Sequence, residues 1–362
     1  MAPTPTTASG GSDGVGSLIQ AARIHGAGDI RVAVEPAEDP GSGEVLLRVT
    51  AVGLCGSDLH WYEEAEIGDA RLSRPLVLGH EFGGVVAAGS RAGERVAVDP
   101  AYNCGRCGPC LDGQTHLCLV MRFAGHGTTD GALRSLMGWP ERLLHPIPDS
   151  ITDDEAPVLE PLGVALHAMD VASMTLGGRA GVYGCGPIGL LLIQLLRLRG
   201  AAAVIATDRL EHRVAAARAM GASEAFVVDA TAGPEVSSVR KCVRENEVDV
   251  AFEASGSDEA LADAIAAVRP GGRVVLVGIP ARDRTSFPAA AARRKELSLL
   301  FSRRMAPPDL PRAVALVAEG RIHLASLITH RYPLAGAPEA FATLAERSGI
   351  KVIVNPSSGV AR

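Results

Sequence analysis

Hydrophobic and polar positions follow two different patterns along the chain, and the pattern changes near residue 165. From about residue 18 to 160, short apolar runs such as EVLLRVTAVGL, GGVVAAG and RVAVDP are separated by glycine and proline. This pattern is typical of irregular, mostly antiparallel strands. After residue 165, strand-like runs alternate with amphipathic stretches, as where AGVYG is followed by PIGLLLIQLLRLRG. The alternation predicts a parallel sheet covered by helices.

The predicted elements divide the chain into two domains. About six strands precede residue 301 in the second pattern, which is the number in a complete doubly wound sheet. We therefore predict an α/β fold with a β-rich domain over 18–165 and a doubly wound domain over 166–301. The segment 302–362 contains a helix near 308–319 and a KVIVN strand that we expect to complete the first domain. Residues 1–17 are small and polar, and they predict a disordered tail.

Composition excludes several classes of partner. A net charge of -6 and an isoelectric point near 5.9 provide no basic surface for nucleic acid or anionic membranes. The most apolar stretch is interrupted by polar residues, which argues against a transmembrane helix. Clustered thiols without a recognisable secretion signal indicate metal binding in a reducing compartment. We therefore expect a cytoplasmic protein whose partner is a small molecule.

Four of the seven cysteines lie close together in the run YNCGRCGPCLDGQTHLC. These four are Cys104, Cys107, Cys110 and Cys118. Their spacing suits one tetrahedral zinc ion, and a site filled by four thiolates leaves no position for water or substrate. We predict a structural zinc here.

A glycine motif marks the start of the second domain. Gly184, Gly186 and Gly189 form Gly-x-Gly-x-x-Gly between a predicted strand and a predicted helix, which is the arrangement that binds a dinucleotide. Asp208 ends the next strand, where a carboxylate accepts the ribose hydroxyls. NAD is favoured over NADP because this carboxylate would repel a 2′-phosphate, although the nearby Arg209 and Arg213 leave NADP open. The other predicted cofactor contacts are Pro187, Ile188, Arg213, Val277 and Gly278.

Two further segments, GLCGSDLHWY and VLGHEFGG, supply candidate ligands for a second zinc: Cys55, His80 and Glu81. A catalytic zinc has three protein ligands and one open position. Of the cysteines outside the cluster, Cys185 lies in the glycine motif and Cys242 in a predicted surface helix, so Cys55 remains for catalysis. A His-Glu pair alone is more often an ordinary surface pair than a metal site. Beside the four-cysteine cluster and the glycine motif, however, zinc binding becomes the favoured interpretation.

In this order, these motifs and the segment PVLEPLGVALHA resemble the zinc-dependent medium-chain dehydrogenases, closest to their polyol (sorbitol-type) branch. The resemblance implies a GroES-like first domain that carries both zincs, a Rossmann second domain, and a substrate cleft between them. It also implies that Cys55, His80 and Glu81 hold the catalytic zinc, with Glu160 bound directly or through water. The alcohol dehydrogenase branch has a thiol near the position of Glu160, so the carboxylate favours the polyol branch.

The expected mechanism is hydride transfer from a substrate hydroxyl group that zinc activates. Ser57 lies two residues after Cys55 and is the candidate acceptor of the hydroxyl proton, which His60 would pass toward solvent. The alternative is that Ser57 caps a turn and His60 faces solvent. Asp58 is expected to orient a ligand imidazole.

The substrate positions depart from the family pattern. Trp61 stands where sorbitol dehydrogenases have a tyrosine that lines the pocket, and Phe301, Ser302 and Arg303 replace a Phe-Arg-Tyr run. We predict Trp61, Glu160 and Arg303 as substrate contacts, and Arg303 or Arg304 could pair with a carboxylate. A polyol or sugar acid other than sorbitol is therefore the expected substrate. The alternative is that both arginines face solvent.

Three expectations rest on the resemblance alone or remain open. The shared motifs also permit oxidation of L-threonine or of a simple secondary alcohol. A catalytically silent binding protein on the same fold is a more remote alternative, because no predicted zinc ligand is missing. Similar dehydrogenases are commonly homotetramers, and we expect the same here.

Overall fold

A computed structural model describes residues 17–228, 247–280 and 284–357. Most of the predicted tail and the predicted helix around Cys242 lie outside these residues. In the described part of the chain, no helix is long and apolar enough to cross a membrane.

The first part of the chain is rich in short antiparallel strands, as predicted. Its strands are β1 (Leu18–Gly26), β2 (Asp29–Pro36), β3 (Glu44–Gly53), β4 (Glu66–Ile67), β5 (Ala70–Arg71), β6 (Leu76–Val77), β7 (Glu81–Val86), β8 (Arg95–Val98), β9 (Ala101–Tyr102), β10 (Arg122–Phe123), β11 (Leu136–Pro140) and β12 (Leu144–Pro146). Its helices are α1 (Gly56–Glu64), α2 (Gly108–Leu111) and α3 (Leu159–Ala172).

The second part alternates strands and helices. Its strands are β13 (Arg179–Tyr183), β14 (Ala203–Asp208), β15 (Glu224–Val227), β16 (Val248–Glu253), β17 (Val268–Leu276) and β18 (Ser298–Phe301). Its described helices are α4 (Pro187–Leu198), α5 (Glu211–Ala219), α6 (Asp258–Ala267) and α7 (Ala289–Arg294). The last elements are α8 (Asp309–Ala318), β19 (Ile328–Pro333), α9 (Ala337–Ala345) and β20 (Lys351–Asn355).

The second part forms a doubly wound sheet. All six strands are parallel, and their order is β15-β14-β13-β16-β17-β18. The strands are apolar because helices cover both faces of such a sheet. Strand order reverses between β13 and β16, and a ligand binds in the crevice at the carboxyl ends of the strands at this point. The glycine motif follows β13 and therefore lies at that crevice.

The first part is organised by a seven-stranded sheet in the order β12-β8-β7-β3-β20-β19, with β11 also paired to β3. β20 lies antiparallel to β3, and β19 lies parallel to β20. The final segment of the chain thus joins the sheet of the first part. The domain boundaries near 165 and 301 stay predictions.

One close pairing in this sheet positions the site described below. Gly53 ends β3 and pairs with Glu81, the first residue of β7. A Cβ atom at Gly53 would lie 2.4 Å from Oε2 of Glu81, so only glycine leaves room for that carboxylate. The loop that follows β3 then brings Cys55 to the side of His80 and Glu81.

Candidate active site

Three of the predicted zinc ligands lie together at the ends of β3 and β7. Sγ of Cys55, a ring nitrogen of His80 and a carboxylate oxygen of Glu81 all lie within 4.8 Å of one another. Cys55 precedes the first turn of α1, and its residue is half-buried, whereas His80 and Glu81 are buried. One thiol, one imidazole and one carboxylate form a donor set that suits zinc.

Asp58 holds two of these groups in place. Its side chain is fully buried, and Oδ2 accepts a hydrogen bond of 2.9 Å from the backbone N–H of Cys55. Its other oxygen lies 3.6 Å from Nδ1 of His80. An imidazole oriented through Nδ1 leaves Nε2 available to a metal, as expected from the sequence.

The surroundings of His80 favour a cation. Burial lowers the pKa of His80, but the negative charges of Asp58 and Cys55 outweigh this effect and raise the pKa well above its ordinary value. Positive charge at this position is therefore stabilised. A zinc ion would supply that charge, so the residues present fit the metal.

Lys351 is a member of the site that the sequence analysis missed. This buried lysine begins β20, and its Nζ lies 2.6 Å from Oε2 of Glu81 and donates a hydrogen bond of 3.0 Å to the carbonyl oxygen of Leu54. Burial lowers the pKa of Lys351, but Glu81 outweighs it and raises the pKa. The available signal was a lysine beginning the otherwise apolar KVIVN strand.

Glu160 lies near the three ligands but outside their 4.8 Å group. It is buried in the first turn of α3. Burial raises its pKa to about 8, and Glu81 adds to this effect by repulsion, while His80 and Lys351 oppose it. Glu160 therefore binds its proton more tightly than an ordinary carboxyl group does.

Helix α1 carries the predicted proton relay and one predicted substrate contact. Oγ of Ser57 lies 3.5 Å from Nε2 of His80, and His60 is half-buried one turn further along. Trp61 is only 2% exposed and packs in the hydrophobic core, with its ring 5.6 Å from that of His126. The indole therefore has little exposed surface, and its contact with a substrate stays a prediction.

The four clustered cysteines also converge. Their four sulfur atoms lie within 4.8 Å of one another, and Cys107 is the N-cap residue of the short helix α2. Backbone N–H groups of Arg106 and Cys107 lower the pKa of the Cys104 thiol to about 6. A group of thiols with one already inclined to ionise fits a structural zinc.

The glycine motif has the close backbone approach that a dinucleotide requires. Gly184 has a φ of 105°, which favours glycine, and a Cβ atom at Gly189 would lie 1.9 Å from the carbonyl oxygen of Gly184. Helix α4 begins at Pro187 immediately after Gly186, so its N-terminus faces the space beyond the motif. Ile188 is half-buried in the same turn.

The remaining predicted cofactor residues surround this motif. Asp208 accepts hydrogen bonds of 2.7 Å and 2.9 Å from the backbone N–H groups of Cys185 and Leu210. Nε of Arg213 is buried without a hydrogen-bond partner among the described residues, and its guanidinium borders Gly186. An unpaired donor beside the phosphate-binding turn fits a nucleotide.

Val277 and Gly278 lie directly after β17, at the carboxyl edge of the sheet. The backbone N–H groups of both donate to the carbonyl oxygen of Glu253 at the end of β16. A Cβ atom at Gly278 would lie 2.2 Å from the backbone nitrogen of Gly256. Both residues therefore lie at the crevice where the strand order predicts a dinucleotide.

The two arginines after β18 lie in different surroundings. Arg303 is exposed, whereas Arg304 is half-buried. The guanidinium of Arg304 lies 4.8 Å from the ring centre of Phe123, and that ring lies 5.3 Å from the ring of His80. The structure thus brings Arg304, rather than the predicted Arg303, toward the metal ligands.

Comparison with known proteins identifies the family. Residues 41–149 match the alcohol dehydrogenase GroES-like domain, and residues 187–319 match the zinc-binding dehydrogenase domain. The chain is 32% identical to sorbitol dehydrogenase of Bacillus subtilis over 347 residues, which cover 94% of this chain and 98% of the relative. It belongs to the zinc-dependent medium-chain dehydrogenases.

Other members of this family support the same assignment. A probable D-xylulose reductase A of Neosartorya fischeri is 36% identical over 321 residues, which cover 86% of this chain and 89% of the relative. The crystal structure of L-idonate 5-dehydrogenase from Escherichia coli has a TM-score of 0.85 and 28% identity, and covers 94% of this chain and 98% of that one. The predicted fold class, the oxidoreductase class and the requirement for zinc and NAD(P) are confirmed.

Proposed function

We propose that this enzyme oxidises a secondary hydroxyl group of a polyol or sugar acid and transfers the hydride to NAD. The observation that carries the proposal is the site itself: one thiol, one imidazole and one carboxylate lie within 4.8 Å of one another, and the buried Glu160 interacts electrostatically with His80 and Glu81. The names of the relatives support a polyhydroxylated substrate, since they refer to sorbitol, xylulose and idonate.

We assign the catalytic zinc to Cys55, His80 and Glu81, and the structural zinc to the four clustered cysteines. A zinc ion held by the first set of residues would supply a Lewis acid for the substrate hydroxyl group, and NAD held at the glycine motif would supply the hydride acceptor. The charge of Lys351 limits how strongly Glu81 donates to the metal, because both compete for the same carboxylate. We assign the nearby Glu160 to substrate binding.

The proton of the substrate hydroxyl leaves along α1 in this proposal. Ser57 is close to the metal-binding nitrogen of His80, so its Oγ is placed to accept the proton. His60 lies three residues later, on the same side of the helix, and passes the proton outward. Imidazole suits this step because one ring nitrogen can accept a proton while the other donates one.

NAD is the preferred cofactor in this proposal. The backbone N–H groups of Cys185 and Leu210 fix the carboxylate of Asp208, which therefore cannot turn away from a 2′-phosphate. Repulsion between these charges disfavours NADP. The ratio of kcat/KM for NAD to that for NADP tests this assignment, and a ratio below one would contradict it.

Homotetramer formation and a cytoplasmic location complete the proposal. Strand β18 is an edge of the doubly wound sheet, and Phe301 at its end is 78% exposed. An unpaired edge with an exposed aromatic residue favours association with another subunit. The reduced thiols that both zinc sites require favour the cytoplasm. Light scattering of the zinc-loaded enzyme tests the tetramer.

A substrate panel tests the function. NADH formation is measured with polyols, sugar acids, simple secondary alcohols and L-threonine, and with NADP as a control. The enzyme should contain two zincs per chain and prefer polyols or sugar acids. His80→Ala should abolish turnover while the cofactor still binds. Faster oxidation of threonine or simple alcohols, or turnover that survives His80→Ala, would refute the proposal.

A further inference from the structure

Arg304 has an unusual backbone conformation. It follows β18 in the segment that leads to α8, and its φ of 61° lies in the left-handed region. This region is uncommon for a residue with a large side chain, and such residues are held there by their surroundings. The turn sends the side chain of Arg304 inward, while that of Arg303 remains exposed.

The side chain of Arg304 reaches the wall of the catalytic site. Its guanidinium stacks over Phe123, whose other neighbour is the metal-ligand candidate His80. The ring of Phe123 is thus a common neighbour of the guanidinium and the imidazole, with its centre 4.8 Å from the guanidinium carbon and 5.3 Å from the imidazole centre. A substrate that binds at the metal would have its chain within reach of this arginine.

Arg304 lacks an ion-pair partner among the described residues. Its contacts are with neutral groups: the ring of Phe123, the sulfur of Met121 and the carbonyl oxygen of His116 at 3.4 Å. Glu160, Asp99 and the thiol of Cys118 attract it from a distance and Arg303 repels it, but no ion pair within 4.0 Å joins Arg304 to a carboxylate of the described residues.

Half-buried arginines of the described chain differ in this respect: Arg213 and Arg273 also contact only backbone carbonyl oxygens, whereas others have ion-pair partners. Arg23 binds Glu35 and Asp130, and Arg312 binds Asp170 and Asp309. A guanidinium has five donors, and withdrawing it from water without a counter-ion is unfavourable. Arg304 therefore lies in a setting that a negatively charged ligand would complete.

We propose that Arg304 binds an anionic oxygen group at one end of the substrate while a hydroxyl group further along the chain is oxidised. This inference rests on the proposed function and narrows its substrate to acidic derivatives of polyols. A planar carboxylate fits the guanidinium through two parallel hydrogen bonds, and a phosphate offers the same oxygens. Arg304 would then determine specificity and take no part in hydride transfer.

The test uses three matched substrates: sorbitol, gluconate and sorbitol 6-phosphate. We expect the wild-type enzyme to have a kcat/KM at least about tenfold higher for one of the two anions than for sorbitol. Arg304→Gln should lower that anion-to-neutral ratio by at least about 30-fold, chiefly through KM, because truncating a buried charge pair is costly. Arg304→Lys keeps the charge and should retain part of the ratio.

Arg303→Gln is the matched variant, since it removes the neighbouring arginine. Its anion-to-neutral ratio should stay within about threefold of the wild type, as for an exposed group. A larger fall in this variant than in Arg304→Gln would overturn the inference. Equal losses on sorbitol and on the anions in Arg304→Gln would also overturn it, because they would indicate a purely structural role.

Two controls separate the possible failures. Zinc content and NADH binding show whether Arg304→Gln is folded, and if it is not, Arg304→Lys and the wild-type ratio decide the outcome. Oxidation of sorbitol without any preference for an anion overturns this inference and leaves the proposed function intact. Preference for the phosphate, lost in Arg304→Gln, supports the inference and identifies the anion. Failure to oxidise all three substrates, together with other polyols, overturns both.

Discussion

The buried ion pair between Lys351 and Glu81 should stabilise the first domain strongly when zinc is absent and only weakly when zinc is bound. Lys351 is 1% exposed, so replacing it by methionine keeps the volume and removes the charge. Without zinc, Glu81 is left as a buried carboxylate that has lost its ion-pair partner. Breaking a buried pair in this way costs about 3–5 kcal/mol of unfolding free energy.

Zinc at the site changes this magnitude. A metal ion bound to Glu81 compensates its charge, so Lys351→Met then loses mainly the hydrogen bond to the carbonyl oxygen of Leu54. One such bond contributes about 1 kcal/mol. The destabilisation should therefore fall from about 3–5 kcal/mol without zinc to about 1–2 kcal/mol with zinc.

Urea unfolding followed by tryptophan fluorescence measures both values. The two tryptophans, Trp61 and Trp139, are buried in the first part of the chain and report its unfolding. Wild type and Lys351→Met are compared with and without zinc, and Lys351→Arg serves as the charge-preserving control. The double variant with Glu81→Gln should be more stable than the sum of the single changes predicts. Equal destabilisation in both metal states, or less than about 1 kcal/mol in each, would refute the reasoning.

Three further predictions concern individual positions. Gly53→Ala places a methyl group against the Glu81 carboxylate, so zinc content at the catalytic site and kcat should both fall, by about tenfold for kcat. Gly189→Ala should weaken NADH binding by at least about tenfold in a fluorescence titration, while zinc content stays at two per chain. Cys110→Ser should lower zinc content to one per chain and reduce the melting temperature, and an unchanged melting temperature would exclude a structural role.

The fold was largely predictable because its periodicity is local. Each strand of the doubly wound sheet is a short apolar run next to an amphipathic helix, so the pattern could be read without knowing the partners. The same holds for the zinc ligands and the glycine motif, since the order and spacing of motifs carry that information. Motif order and spacing do not report which distant residues these side chains contact.

Two features of the site could not be read from the sequence. Lys351 meets Glu81 across a separation of 270 positions, and only the pairing of β20 with β3 brings them together. The choice between Arg303 and Arg304 depends on one backbone dihedral angle, which no pattern of residue types reports.

The pairing of β20 with β3 also imposes an order on folding during translation. On the ribosome, the residues of β3 leave the exit tunnel long before those of β20, and the whole doubly wound sheet is synthesised between them. A nascent chain that has reached α8 carries every proposed zinc ligand yet lacks the lysine that neutralises one of them. The cofactor crevice can therefore mature first, and the metal centre acquires its final charge balance only after β20 has been synthesised.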